Sequence, residues 1–230
     1  MTEKSFIQHI VGFISAIENE QGPLLDELAL KCAKARKNGG LIHLFGSGHS
    51  VIPTMDAYPR YGSFVGIHPI FDPRLMWHNV LGPGGVRELL WLERTENYIF
   101  QVLQNEPINS GDILIALSHG GTNIAAIEAA EYAKKKGCFT IGITSMKNAD
   151  AASKHSRGLK LSTVVDQVID TGVPVEDAVY NVESWSRPVG GSSTIVANGT
   201  NLNGSPGTSM PSTCTVSNDG GGGGGGGGGY

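Results

Sequence analysis

Three times along this chain a short apolar run stops at a cluster of glycine and hydroxylated residues, then passes into new sequence. The first run is Leu41-Ile42-His43-Leu44-Phe45, followed by Gly46-Ser47-Gly48-His49-Ser50. The second is Asp112 to Leu117, followed by Ser118-His119-Gly120-Gly121-Thr122-Asn123 and an alanine-rich helical stretch that stops at Gly137. The third is Phe139 to Ile143, followed by Thr144-Ser145. Phe64 to Ile67 and Val164 to Ile169 read as two more strands, and Val86 to Gln104 as one long helix. Strands alternating with helices imply a parallel sheet covered on both faces, an α/β three-layer sandwich. Right-handed crossovers bring every strand's C-terminal end to one edge, where such sheets bind ligands.

The chemistry of those strand ends narrows the ligand. Glycines let backbone approach a ligand closely, and amide N–H groups at a helix start favour an anion. Ser and Thr hydroxyls add neutral donors. No lysine lies in either long loop, so neither is the nucleotide P-loop, and Gly46-Ser47-Gly48 lacks the third glycine of the dinucleotide fingerprint. The ligand that fits is a monophosphate on a small polar body, with no nicotinamide or other cofactor. No two histidines stand at i, i+4 spacing, so no metal site is expected.

Ahead of the first strand, Ile7, Ile10, Val11, Ile14 and Ile17 repeat at helical spacing, so Ser5 to Glu20 reads as a helix. Gly22-Pro23 is expected to break it, and a second helix runs on to Asn38-Gly39-Gly40. The domain reading is therefore a helical pair over 1–40, an α/β domain over 41–196, and a low-complexity, disordered tail over 197–230. The composition supports that last boundary. The chain holds 17 Lys+Arg and 21 Asp+Glu, yet past Arg187 only Asp219 is charged, and Gly220 to Gly229 is unbroken glycine. Such sequence cannot bury enough apolar surface to offset its ordering entropy.

The same composition limits partners and compartment. A net charge of −4 without a basic stripe argues against nucleic acid, and no run approaches the roughly 18 apolar residues of a spanning helix. The start lacks a secretory pattern, and Cys32, Cys138 and Cys214 are scattered, which reads as reduced thiols in a cytoplasmic setting.

In order along the chain, LIHLFGSGHS at 41–50, GDILIALSHGGTN at 111–123 and CFTIGITS at 138–145 resemble a SIS (sugar isomerase) domain. ASKHSRGLKL at 152–161, VVDQVIDTGVP at 164–174 and VGGSSTI at 189–195 extend the resemblance. It is closest to a little-characterised bacterial-type family related to phosphoheptose isomerases and N-acetylmuramic acid 6-phosphate etherases. The resemblance implies a five-stranded parallel sheet of flavodoxin-like order, a homo-oligomer, and phosphosugar binding at the strand ends. It implies phosphate contacts from Gly46, Ser47, Gly48, Ser50, Ser118, His119, Gly121, Thr122, Asn123 and Ser145. Ser192, Ser193 and Thr194 match the cluster that closes over the ligand. Gly120 replaces a serine of the family's second loop, a loss for which Thr122 compensates. Relatives carry a Glu-Glu pair where this chain reads Met55-Asp56, which leaves Asp56, His49 and Glu183 as acid/base candidates. His155 matches a stretch implied to reach a neighbouring subunit's site. Beyond Ile195 the expected final apolar helix is absent from the sequence.

The function expected is binding of a phosphorylated sugar, with sugar-phosphate isomerisation if the acid/base groups are placed for it. A non-catalytic phosphosugar sensor is the alternative, favoured by the missing carboxylate. A scaffold without ligand is the third reading.

Overall fold

The computed structural model describes residues 5–58, 61–77, 85–180 and 189–191. Five strands, β1 (Ile42–Gly46), β2 (Ile67–Ile70), β3 (Ile113–Leu117), β4 (Phe139–Thr144) and β5 (Gln167–Asp170), form a parallel sheet. Their order is β2-β1-β3-β4-β5. The sheet and its order are as the sequence implies. The register Ile42↔Ile113, Ile113↔Phe139 and Ile141↔Gln167 brings the C-terminal ends of β1, β3, β4 and β5 to one edge. A small antiparallel pair, β6 (Ala178–Tyr180) with β7 (Val189–Gly191), follows and was not anticipated.

Alternation along the strands builds two cores. Phe45, Ile70, Leu114 and Ala116 face a layer of helices that includes α4 (Tyr98–Leu103) and α5 (Ile124–Lys135). Ala125, Ala126, Ala129, Ala130 and Ala133 of α5 are all essentially buried, so small side chains let this helix lie close against the sheet. On the other face Leu44, Ile113, Ile115, Ile141 and Ile169 pack with Leu28 and Cys32 of α1 (Phe6–Lys37). Burial pushes the Cys32 and Cys138 thiols up to about 11, so both are inert thiols at neutral pH.

The expected helical pair is a single helix. α1 runs through Pro23 without a break, opened by a Ser5–Gln8 capping box. An interior proline costs about 3 kcal/mol. Contacts on both sides of it offset that cost. Ile17 packs on Val173, and Leu28 is fully buried. Between them the Gln21 amide clamps the end of β5, donating from Nε2 to Asp170 O at 2.7 Å and accepting from Asp170 N at 2.9 Å.

Two other boundaries move. The helix expected over 86–104 is two helices, α3 (Val86–Leu92) and α4, separated where Asn97 adopts φ +64° and its N–H donates to Glu128. The second strand begins at Ile67 rather than Phe64. Phe64 and Val65 are exposed, and the Val65 carbonyl accepts from Arg36 Nε at 2.9 Å instead of joining the ladder. Pro69 sits within β2, which is tolerable because β2 is an edge strand.

His43 is fully buried near the N-terminal end of β1. Its Nε2 lies 3.0 Å from Asp112 Oδ2 and its Nδ1 3.0 Å from His68 Nδ1. Burial lowers its pKa, with Asp112 opposing. His155 is likewise buried within its own chain. It faces Glu96 at 3.5 Å and Glu131 at 4.0 Å, and its Nδ1 accepts from Arg157 N at 3.1 Å.

Candidate functional site

The first loop leaves β1 at Gly46, where a Cβ would stand 2.0 Å from the Ser50 carbonyl oxygen. The chain therefore doubles back on itself in a way only glycine allows. It enters α2 (Val51–Ala57), whose N-cap, Ser50, makes no side-chain capping bond. Gly48 N donates to Leu75 O at 2.7 Å, which ties the loop to the turn 73–75. That tie seats Trp77 against His49, with ring centroids 5.4 Å apart and planes 16° from parallel. His49 is exposed, and Trp77 stacks on it.

The second loop is shaped by Gly121 at φ +61°. Its N–H donates to Ser118 O and to Ser118 Oγ, each at 3.2 Å. A Cβ at Gly121 would lie 2.8 Å from Thr144 Oγ1. The third loop is bound to the second through one carbonyl. His119 O accepts from Ser145 N at 3.0 Å, Thr144 Oγ1 at 3.1 Å and Asn148 Nδ2 at 3.3 Å. The second and third loops are thus fastened to each other, and the first leaves the neighbouring strand β1 at the same edge of the sheet.

The structure separates the expected phosphate donors into two groups. In the first, the side-chain donor is already used. Ser145 is 2% exposed, and its hydroxyl donates to Val173 O at 2.5 Å while accepting from Lys147 N at 3.3 Å. The Ser47 hydroxyl donates to Glu93 Oε2 at 3.1 Å, and the Asn123 side chain lies against the same carboxylate. His119 Nε2 lies 3.2 Å from Val175 O, so that nitrogen carries the proton. Its Nδ1 is buried and has no partner among the described residues.

The second group is uncommitted. Ser118 Oγ accepts from Gly121 N, so its own proton has no acceptor among the described residues. The Ser50 and Thr122 hydroxyls, and the backbone N–H groups of Gly120, Thr122 and Asn123, also find no partner among the described residues. Asn123 is the N-cap of α5, a 12-residue helix, so those amides lie at the positive end of its dipole. Neutral donors converging on a helix start suit a small anion.

Of the acid/base candidates, Asp56 lies on the exposed side of α2 and His49 stacks on Trp77. Glu183, Ser192, Ser193 and Thr194 lie outside the described residues. Sequence reasoning missed Glu93. It is 6% exposed, and burial raises its pKa against the opposing effects of Ser47, Arg94 and Asn123. Its backbone carbonyl also accepts from Ala125 N at 3.1 Å in the first turn of α5. Nothing in local sequence marks it, because its partners stand far away in the chain. Among the described residues no cluster of His, Cys, Asp and Glu could hold a metal ion, and no helix is long and apolar enough to cross a membrane.

Comparison with known proteins identifies relatives of this chain. A family model described as a SIS domain matches residues 5–145. A UPF0309 protein of Listeria innocua is 35% identical over 192 residues, which is 83% of this chain and 76% of that one. A UPF0309 protein of Halalkalibacterium halodurans is 36% identical over 193 residues, 84% of this chain and 75% of that one. Among solved structures, a phosphoheptose isomerase from Francisella tularensis aligns with a TM-score of 0.51 at 14% identity, covering 86% of this chain and 90% of that one. That last likeness is one of fold.

Proposed function

The chain belongs to the SIS domain family, and from that premise we propose that it binds a phosphorylated sugar at the strand ends of β1, β3 and β4. The observation that carries this reading is the set of uncommitted donors in the second loop. The Ser118 and Thr122 hydroxyls and the amides of Gly120, Thr122 and Asn123 surround the start of α5 with nothing among the described residues to bond. A phosphate supplies three or four acceptor oxygens and a charge that the helix start favours. The first loop, with Ser50 and the exposed His49–Trp77 stack, forms the wall against which the sugar body rests.

Binding is better supported than isomerisation. Aldose–ketose isomerisation needs a carboxylate or histidine within about 3 Å of the migrating proton. Asp56 is on the exposed side of its helix, and Glu93 is held in the floor by Ser47 and Asn123. A phosphosugar-binding role, passing its signal to a partner, is the reading we adopt, with isomerase activity as the second.

Calorimetry of the full chain against a panel of hexose, amino-sugar and heptose phosphates tests it. At least one should bind, its unphosphorylated counterpart should not, and Ser118→Ala should weaken binding about tenfold or more, the loss of one hydrogen bond to a charged group. Equal binding of sugar and sugar phosphate would refute the reading. Turnover of any bound sugar phosphate would favour the isomerase.

A further inference from the structure

Glu93 holds together two loops that the sequence assigned to the ligand. Ser47 from the first loop donates to its carboxylate at 3.1 Å, the Asn123 side chain of the second loop lies against that carboxylate, and its backbone carbonyl takes the Ala125 amide of α5. The carboxylate lies just under the first loop, because a Cβ on Gly48 would stand 4.0 Å from Glu93 Oε2. When ionised, a carboxylate at 6% exposure, adjacent to loops that favour an anion, opposes that anion directly. It also holds two donors away from the ligand.

We infer that Glu93 is a positioning residue that couples the two loops and makes anion binding proton-linked: the anion enters the site as Glu93 takes up one proton. This rests on the anion-binding reading of the loops. In the ionised state Glu93 is an acceptor for the Ser47 hydroxyl and the Asn123 amide. Once protonated it is neutral and needs fewer donors, so Ser47 and Asn123 can turn outward. The direction of its pKa agrees, since burial already favours the neutral form. The groups facing it are Ser47 from the first loop, Asn123 from the cap of α5 and its charged neighbour Arg94. Arg94 favours the ionised form and lowers the pH at which the proton is taken up, without removing the linkage.

The test uses sulfate, a tetrahedral dianion that does not itself titrate near neutrality, with the full chain in calorimetry between about pH 5 and pH 8. Wild-type affinity should rise as pH falls, approaching about tenfold per pH unit where one proton is taken up per anion. Glu93→Gln keeps an acceptor for Ser47 and Asn123 without the charge, so its affinity should match the low-pH wild type and vary little with pH. His49 and His119 are intact in this variant, so a slope that survives E93Q belongs to them and overturns the inference while leaving the anion site standing. Ser47→Ala provides a second measurement. Losing a bond that favours the ionised form should move the midpoint of the profile to higher pH, and an unmoved midpoint also overturns the inference. Failure of wild type and both variants to bind sulfate at any pH would refute the anion site itself, and the inference with it.

Discussion

Substituting Gly121 by alanine probes the second loop most sharply, because two separate costs can be worked from its geometry. Gly121 sits at φ +61°, and an L-residue placed there costs about 1–2 kcal/mol. The new Cβ would also stand 2.8 Å from Thr144 Oγ1, which donates to His119 O at 3.1 Å. Relieving that overlap means turning Thr144 and giving up the bond that ties the loops together, a further cost of about 1 kcal/mol. G121A should therefore lower stability by about 2–3 kcal/mol. Urea denaturation followed by circular dichroism reads this as a lower midpoint with an unchanged slope. The pair G121A/T144A separates the two costs. With Oγ1 gone the overlap vanishes, so the double variant should be more stable than the sum of the singles predicts by about 1 kcal/mol, while the backbone cost stays. A G121A variant within about 0.5 kcal/mol of wild type would refute the left-handed turn as the loop's organising feature. Strict additivity in the double variant would refute the contact with Thr144.

Two further outcomes follow from contacts elsewhere in the fold. Gln21→Ala removes both bonds between α1 and the backbone of Asp170, and should cost about 1–3 kcal/mol in the same denaturation assay. Asp112 gives a pH dependence. Burial alone would raise its carboxyl, but the bonds from His43, Leu41 N and Asn109 N prevail and hold it below the usual carboxylate value. A depressed pKa contributes stability that is present above the ordinary carboxylate range and is lost as pH falls through the folded value. Asp112→Asn should thus be less stable than wild type at neutral pH, with the gap closing in acid. A gap that stays constant down to about pH 2 would show that the ionised form of Asp112 contributes nothing.

What was legible in the sequence is what local pattern encodes. Ile113 to Leu117 and Phe139 to Thr144 are near-continuous apolar runs ended by small polar residues, and both are central strands as read. The order of the strand-end loops along the chain was enough to fix the edge at which Gly46, Ser118 and Ser145 meet. Long-range balances were not legible. Proline at position 23 is a strong local stop signal, but the burial of Leu28 and the Gln21 clamp reach residues near position 170 and outweigh it. The Asn97 turn that splits the long helix is fixed by Glu128. Residue type marks Ser47 and Ser145 as donors, but it could not show that their side chains bond Glu93 and Val173 instead of facing outward. Glu93 itself has no spacing signal, since Ser47 is 46 positions away.

Under the proposed function the second loop receives a phosphate. A crystal structure of the full chain soaked with a sugar phosphate that binds in solution tests this most directly. Phosphate oxygens are expected within hydrogen-bonding distance of Ser118 Oγ and of the Gly120 and Thr122 amides, with the sugar body toward His49 and Trp77. Phosphate bound away from the start of α5, or a sugar ring in its place there, would contradict it.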